Sequence, residues 1–251
     1  MKIVVFNGSH RGKNGNTQIM VDEFLSGAKE AGAEVENILL VKKNIKHCLG
    51  CFDCWIKTPG RCAIKDDMEE LLPKFIDLDI VVFATPVYVD NVTGIMKNFM
   101  DRLIPLVDPH FEKDEEGECR HVKKFKNLPK IVVLSNCGFP EQSHFQVLSL
   151  LFKRVARNIQ TEVIAEIYRG GGEILKYETL ILKPFISKYK KLLRKAGKEI
   201  VENLRLSEET IMELEKPIVP YAQYIEGANK NWDKLLSKVK DSDRVSSIAE
   251  N

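Results

Sequence analysis

Three stretches of the chain are apolar without alternation. KIVVFNGS at residues 2–9, IVVFATPVY at 80–88 and KIVVLSNCG at 130–138 run through hydrophobic residues and stop at polar or glycine-bearing loops. That is the pattern of parallel strands buried on both faces. EVENILLV at 34–41 and TEVIAEIYRGG at 161–171 predict two more strands. Between them the period lengthens. TQIMVDEFLSGAKEAG spaces Ile19, Met20, Phe24, Leu25 and Ala28 as one helix face, with Gly32 placed to end it. DDMEELLPKFIDLD opens with Asp66 and Glu69, the spacing of a capping box. VTGIMKNFMDRLIPL and the segment from about Gln142 to Asn158 predict further helices. Such alternation predicts an α/β protein with a doubly wound, five-stranded parallel sheet.

From Lys183 onward the strand pattern gives way to helices, so the expected organisation is a sheet domain over 1–182, carrying an inserted cysteine loop (46–64), and a C-terminal helical extension over 183–251. The polar stretch at 108–129 is expected to be a mobile loop or an excursion over the site.

Charge removes one class of function. Lys plus Arg total 38 against 36 for Asp plus Glu, and a net charge of +2 provides no broad field for nucleic acid. The chain starts directly as a strand, without the apolar stretch of a signal peptide or the ~18 apolar residues of a membrane span. A cytoplasmic protein with no membrane contact is expected, in a compartment where thiols stay reduced.

Ligands of such sheets bind at the carboxyl ends of the strands, so the loops after residues 8, 86 and 136 are expected to meet. The first, NGSHRGKNGNT, gathers backbone amides and a helix start, with Ser9, Asn16 and Thr17 as donors and Arg11 as a charge. It lacks both the Lys-Ser/Thr ending of a triphosphate loop and the three spaced glycines of a dinucleotide loop, which leaves a monophosphate or an ordinary capped turn. The second, from Pro86 through Val87, Tyr88, Asn91 and Thr93, suits a planar heterocycle, with the Val87 and Tyr88 amides at the ring edge. The third supplies Asn136 and Gly138. Cys48, Cys51, Cys54 and Cys62 fall in the loop between a strand and a helix, and their spacing suits an iron-sulfur cluster. Zinc, reduced thiols or a labile disulfide also remain open.

GSHRGKNGNT, the cysteine segment followed by DDM, and ATPVYVDNVTGIMKNFMDR occur in the order found in the NADPH-dependent FMN reductase family, which the chain resembles over about residues 1–170. Within that family it looks most similar to the iron-sulfur flavoproteins. The resemblance implies a flavodoxin-like fold, with FMN phosphate on Ser9, Arg11, Asn16 and Thr17. It places the isoalloxazine against Pro86, Val87, Tyr88 and Asn91, with Asn136, Cys137 and Gly138 on its other edge. Cys48, Cys51, Cys54 and Cys62 would hold a [4Fe-4S] cluster, and the protein would be a homodimer or homotetramer. The expected activity is flavin-dependent electron transfer, with an NAD(P)H or ferredoxin-like donor, a small-molecule or protein acceptor, and no protein acid or base as catalyst. Two other expectations stand beside it: an NAD(P)H-dependent FMN or quinone reductase without a cluster, and a noncatalytic flavin or thiol redox sensor.

Overall fold

The apolar runs become the centre of one sheet. The computed structural model describes residues 1–177 and 179–240. Its strands are β1 (Lys2–Asn7), β2 (Glu34–Leu39), β3 (Ile80–Pro86), β4 (Phe111–Lys113), β5 (Cys119–His121), β6 (Lys130–Asn136) and β7 (Val163–Arg169). Five of them pair in parallel in the order β2-β1-β3-β6-β7, the flavodoxin-like arrangement. The chain leaves β1 for β2 on one side and returns to β3 on the other. The crevice above β1 and β3 is therefore the switch point where such sheets bind ligands.

The helices are α1 (Asn16–Glu30), α2 (Asp53–Ile56), α3 (Met68–Ile76), α4 (Gly94–Asp101), α5 (Gln146–Asn158), α6 (Lys183–Asn203), α7 (Glu208–Glu215) and α8 (Tyr221–Lys240). Successive strand residues face opposite sides. Val4, Phe6, Val81, Phe83, Ile131 and Val133 join Met68, Phe75, Phe99 and Phe152 in one core layer. Phe6 stacks on Phe99 at 4.4 Å, and Phe83 meets Phe152 at 5.1 Å. The opposite face is covered by α1, and α6 lies on α1. That contact depends on two glycines. A Cβ at Gly27 would sit 1.9 Å from the Arg194 carbonyl oxygen, and one at Gly197 would sit 2.0 Å from that of Phe24.

The chain divides into compact units at Met1–Lys216 and Pro217–Asn251. The first carries α6 and α7 with the sheet; in the second, the described residues include α8, with a Glu226–Lys230 ion pair along it. None of the helices among the described residues is long and apolar enough to cross a membrane.

Two local expectations change. The polar stretch at 108–129 contains an antiparallel hairpin, β4 with β5. Arg157 pairs with Asp114 at 2.5 Å, and Gln160 donates to the His121 carbonyl at 2.7 Å, so the hairpin is fastened to α5 and its C-terminal turn. The capping box is absent as well. The Asp66 carboxylate accepts from the Met68 amide at 3.0 Å but also faces Arg102, and α3 has no side-chain cap bond.

Candidate functional site

The loop between β1 and α1 folds too tightly for a side chain at Gly15, where a Cβ would lie 2.5 Å from Ser9 Oγ. Gly12 takes a left-handed φ of 49°, which glycine adopts without strain. The helix that follows starts with Asn16, Thr17 and Gln18 all buried and with no side chain capping it. A buried helix start without a cap leaves its first N–H groups open and carries partial positive charge. Asn16 Oδ1 is buried beside it without a hydrogen-bond partner; a half-turn of that amide presents Nδ2 instead. Ser9 is 3% exposed, and its N–H donates to Asn7 Oδ1 at 3.0 Å. Asn7 Nδ2 in turn donates to Gln18 Oε1 at 3.1 Å, where Asn37 Nδ2 also donates at 3.0 Å. Asn7 and Gln18 were not singled out in the sequence. Their signal is a polar residue ending an apolar strand and another in the first turn of the next helix. Arg11 is turned outward, its guanidinium paired with Glu173 at 2.7 Å.

The second loop differs from expectation in its amides. Val87 N–H donates to the Asn136 carbonyl at 2.8 Å and Tyr88 N–H to the Asn91 carbonyl at 2.9 Å. Both donors expected at a ring edge are therefore used within the chain. Asn91 N–H returns the bond to Tyr88 at 3.1 Å, closing a tight turn with Val89 at φ 48° and Asp90 at φ 56°. A β-branched residue at positive φ is strained, and such strain concentrates at functional sites. The Tyr88 ring, half exposed, stacks on His10 at 5.6 Å with 5° between the planes, joining the first loop to the second. Beneath them Thr93 caps α4 by accepting from Met96 N–H at 3.3 Å and donates its own hydroxyl to the Gly8 carbonyl at 2.7 Å.

The third loop meets the first through Asn136, whose Nδ2 donates to Thr17 Oγ1 at 2.8 Å. The Thr17 hydroxyl thus has its oxygen occupied and its hydrogen directed elsewhere. Cys137 Sγ donates to the Phe139 carbonyl at 3.1 Å, and burial pushes the thiol up to about 11. It stays protonated at neutral pH. Gly170 closes the loop from behind, since a Cβ there would lie 2.2 Å from the Pro140 carbonyl oxygen. The RGGG run at 169–172, which carried no expected role, thus shapes this loop.

The cysteine loop hangs from α4, which begins at the second loop. Asn98 Nδ2 donates to the Ile45 carbonyl at 2.5 Å, and His47 Nδ1 lies 3.1 Å from Asn98 Oδ1. Arg102, 1% exposed, donates to the Lys46 carbonyl at 2.6 Å and grips both Asp66 oxygens at 2.6 and 3.1 Å. Burial alone would raise the Asp66 pKa. Arg102 and the Lys46 and Met68 amides outweigh it, so the carboxyl is held below its ordinary value. A lowered carboxylate contributes stability above its unfolded pKa and loses it as pH falls through the folded one, so this grip is fully present at neutral pH. Removing one partner of a buried pair of this kind costs about 3–5 kcal/mol.

All four cysteines are free thiols; Cys54 is buried, Cys51 exposed, and Cys48 and Cys62 intermediate. Burial first, then the neighbouring Cys62, Cys51 and Cys48, pushes Cys54 up, which places the four in one neighbourhood. Tetrahedral zinc with ~2.3 Å bonds holds its sulfurs about 3.8 Å apart. Among the described residues no three cysteine sulfurs lie within 4.8 Å of one another. Trp55 covers one side, stacked on Phe52 at 5.1 Å and donating to the Val107 carbonyl at 3.0 Å. A cavity of ≈ 590 Å³ opens beside Cys62, lined by Arg61, Met68, Leu72 and Pro73.

Residues 1–116 match the family described as NADPH-dependent FMN reductase. Over these residues the chain is similar to that family. The part matched to the FMN reductase family holds the first two loops and all four cysteines, and ends before the third loop. An iron-sulfur flavoprotein of Archaeoglobus fulgidus is 39% identical over 142 residues, 57% of this chain and 58% of that protein. An iron-sulfur flavoprotein of Methanocaldococcus jannaschii is 40% identical over 106 residues, 42% of this chain and 53% of that protein. The matches thus span little more than half the length of these relatives. The structure of an FMN-dependent NADH-azoreductase from Bacillus anthracis in complex with FMN is similar in fold, with a TM-score of 0.59 at 16% identity, covering 80% of this chain and 99% of that one.

Proposed function

We propose that this protein is a flavin-dependent oxidoreductase that binds FMN above β1 and β3 and exchanges electrons between the flavin and a [4Fe-4S] cluster on Cys48, Cys51, Cys54 and Cys62. The observation that carries the flavin part is the buried, uncapped start of α1 beside the orphaned Asn16 amide. A phosphate dianion satisfies both at once. Ser9 Oγ, the Thr17 hydroxyl and the Asn16 amide donate to it, and Arg11 exchanges Glu173 for the phosphate or remains as a latch over it. Tyr88, Asn91 and the Pro86 carbonyl border the ring. With the Val87 and Tyr88 amides taken, the ring's polar edge is left to other groups of the three loops.

The donor set supports the cluster part: four unpaired thiols in one loop, three of them within seven residues, and a family match that spans them. FMN takes two electrons together and releases them singly, and a cluster carries one at a time, so the pair would join two-electron to one-electron partners. The chain's own work is to hold both sites on α4, which starts at Thr93 under the flavin loop and ends at Arg102 under the cysteine loop. A homo-oligomer using NAD(P)H or a ferredoxin-like donor, in the cytoplasm, completes the proposal.

Anaerobically purified protein should carry FMN together with about four iron and four sulfide per chain, and a Cys54→Ser variant should lose the iron and keep the FMN. Iron-free protein with full flavin content would remove the cluster and leave the second reading, an NAD(P)H-dependent flavin reductase. The exposed Cys51 and the ungathered sulfurs favour that alternative.

A further inference from the structure

The cysteine loop is closed at its base by one side chain. Lys46 precedes Cys48 and Asp66 follows Cys62, and both rest on the same guanidinium: Arg102 Nη1 reaches the Lys46 carbonyl and Asp66 Oδ2, each at 2.6 Å, while Nη2 reaches Asp66 Oδ1 at 3.1 Å. The fork is planar and always charged, so it fixes the two chain ends in one geometry, as lysine cannot. Its Nε is buried and has no hydrogen-bond partner. Besides Asp66, the Cys62 side chain lies within interaction range of the guanidinium. A buried cation with an unused N–H therefore stands beside the last of the four cysteines.

We propose that Arg102 is the positioning residue of the cysteine centre: it clasps the loop at Lys46 and Asp66 and sets a cationic N–H against Cys62, making that corner of the bound group the most stabilised for negative charge. The inference rests on the reading of the loop as a cluster site, yet its mechanical half concerns this chain alone. Hydrogen bonds to the cluster sulfurs raise the reduction potential. Because α4 also carries Thr93, the clasp fixes the cysteine centre relative to the flavin loop.

The test uses Arg102→Lys, which keeps the charge and loses the fork; should it fail to fold, Asp66→Asn, which opens the clasp but keeps the cation, replaces it for iron release and trypsin cleavage, with the potential expected to move positive instead. FMN content reports folding. In holoprotein the variant should bind FMN as the wild type does, release iron to a chelator about tenfold faster, as expected for loss of one charge-assisted bond, and titrate at a more negative cluster potential. A purely structural role would lower the melting temperature and leave the potential in place. The clasp is also read without a cluster, in apoprotein, from trypsin cleavage at the loop's exposed Lys57 and Lys65. Cleavage should be about tenfold faster in the variant. Iron-free wild type would sink the cluster reading, and the clasp would then stand or fall on trypsin. Equal cleavage in variant and wild type, or an unchanged potential in iron-loaded protein, overturns the proposal.

Discussion

Gly197→Ala lowers the stability of this protein by about 3 kcal/mol, a fall in melting temperature of roughly 6–12 °C for a chain of this size. The added Cβ would lie 2.0 Å from the Phe24 carbonyl oxygen and 2.8 Å from the Ala28 amide nitrogen. Both are backbone atoms of α1, so no rotamer relieves the contact and α6 has to lift. Lifting it also pulls Arg194 from Glu23 and Lys198 from Glu30, now paired at 2.5 and 2.7 Å. Gly27→Ala should act alike, its Cβ meeting Arg194 backbone at 1.9 Å, and the two substitutions should be less than additive because they displace the same pair of helices. Thermal denaturation followed by circular dichroism reads both. Gly227→Ala, in α8 with nothing within 4 Å of the new Cβ, is the control and leaves the main transition where it is. A Gly197→Ala protein melting within 2 °C of wild type would show that α6 does not rest on α1 this closely.

The second large effect is on the cofactor. Gly15→Ala puts a methyl 2.5 Å from Ser9 Oγ, and the hydroxyl must turn away from the place where it would meet a phosphate. The fold survives, since a buried serine side chain can rotate. FMN affinity should fall on the order of tenfold to a hundredfold, ~1.4–2.8 kcal/mol. Fluorescence titration of apoprotein with FMN and with riboflavin separates the causes. The loss should appear with FMN and nearly vanish with riboflavin, which has no phosphate. An equal loss for both ligands would place the phosphate elsewhere.

Much of this site is legible without coordinates because it is local. Three uninterrupted apolar runs, each ending in a polar loop, specify strands buried on both faces, and a parallel sheet puts all their carboxyl ends at one edge. Ser9, Asn16 and Thr17 follow from that edge because they flank one helix start. The Val87 and Tyr88 amides were misread for the opposite reason. An amide's availability depends on which carbonyl the fold brings to it, and here Asn136, nearly fifty residues away, supplies one of them. His10 was given no role in the sequence, and its partner Tyr88 reaches it only across two loops. Arg102 reads in sequence as one more charge at the end of a helix; its contacts with Lys46 and Asp66 require α4 and the cysteine loop to be folded together.

The same division runs through the whole molecule. Apolar period, turn glycines and cysteine spacing lie along the chain, and they determined the sheet, the order of its loops and the identity of the four thiols. The helices after residue 183 show the limit. Their basic surface reads as a solvated face, whereas α6 is seated on α1 through Gly27 and Gly197, with its cations paired to Glu23 and Glu30. Only the tertiary structure decided that contact, the buried Arg102–Asp66 clasp and the orphaned amide at the start of α1. The first two are relations between residues far apart in sequence and the third is the lack of one, and local chemistry specifies what a side chain can do but not which distant group it will meet.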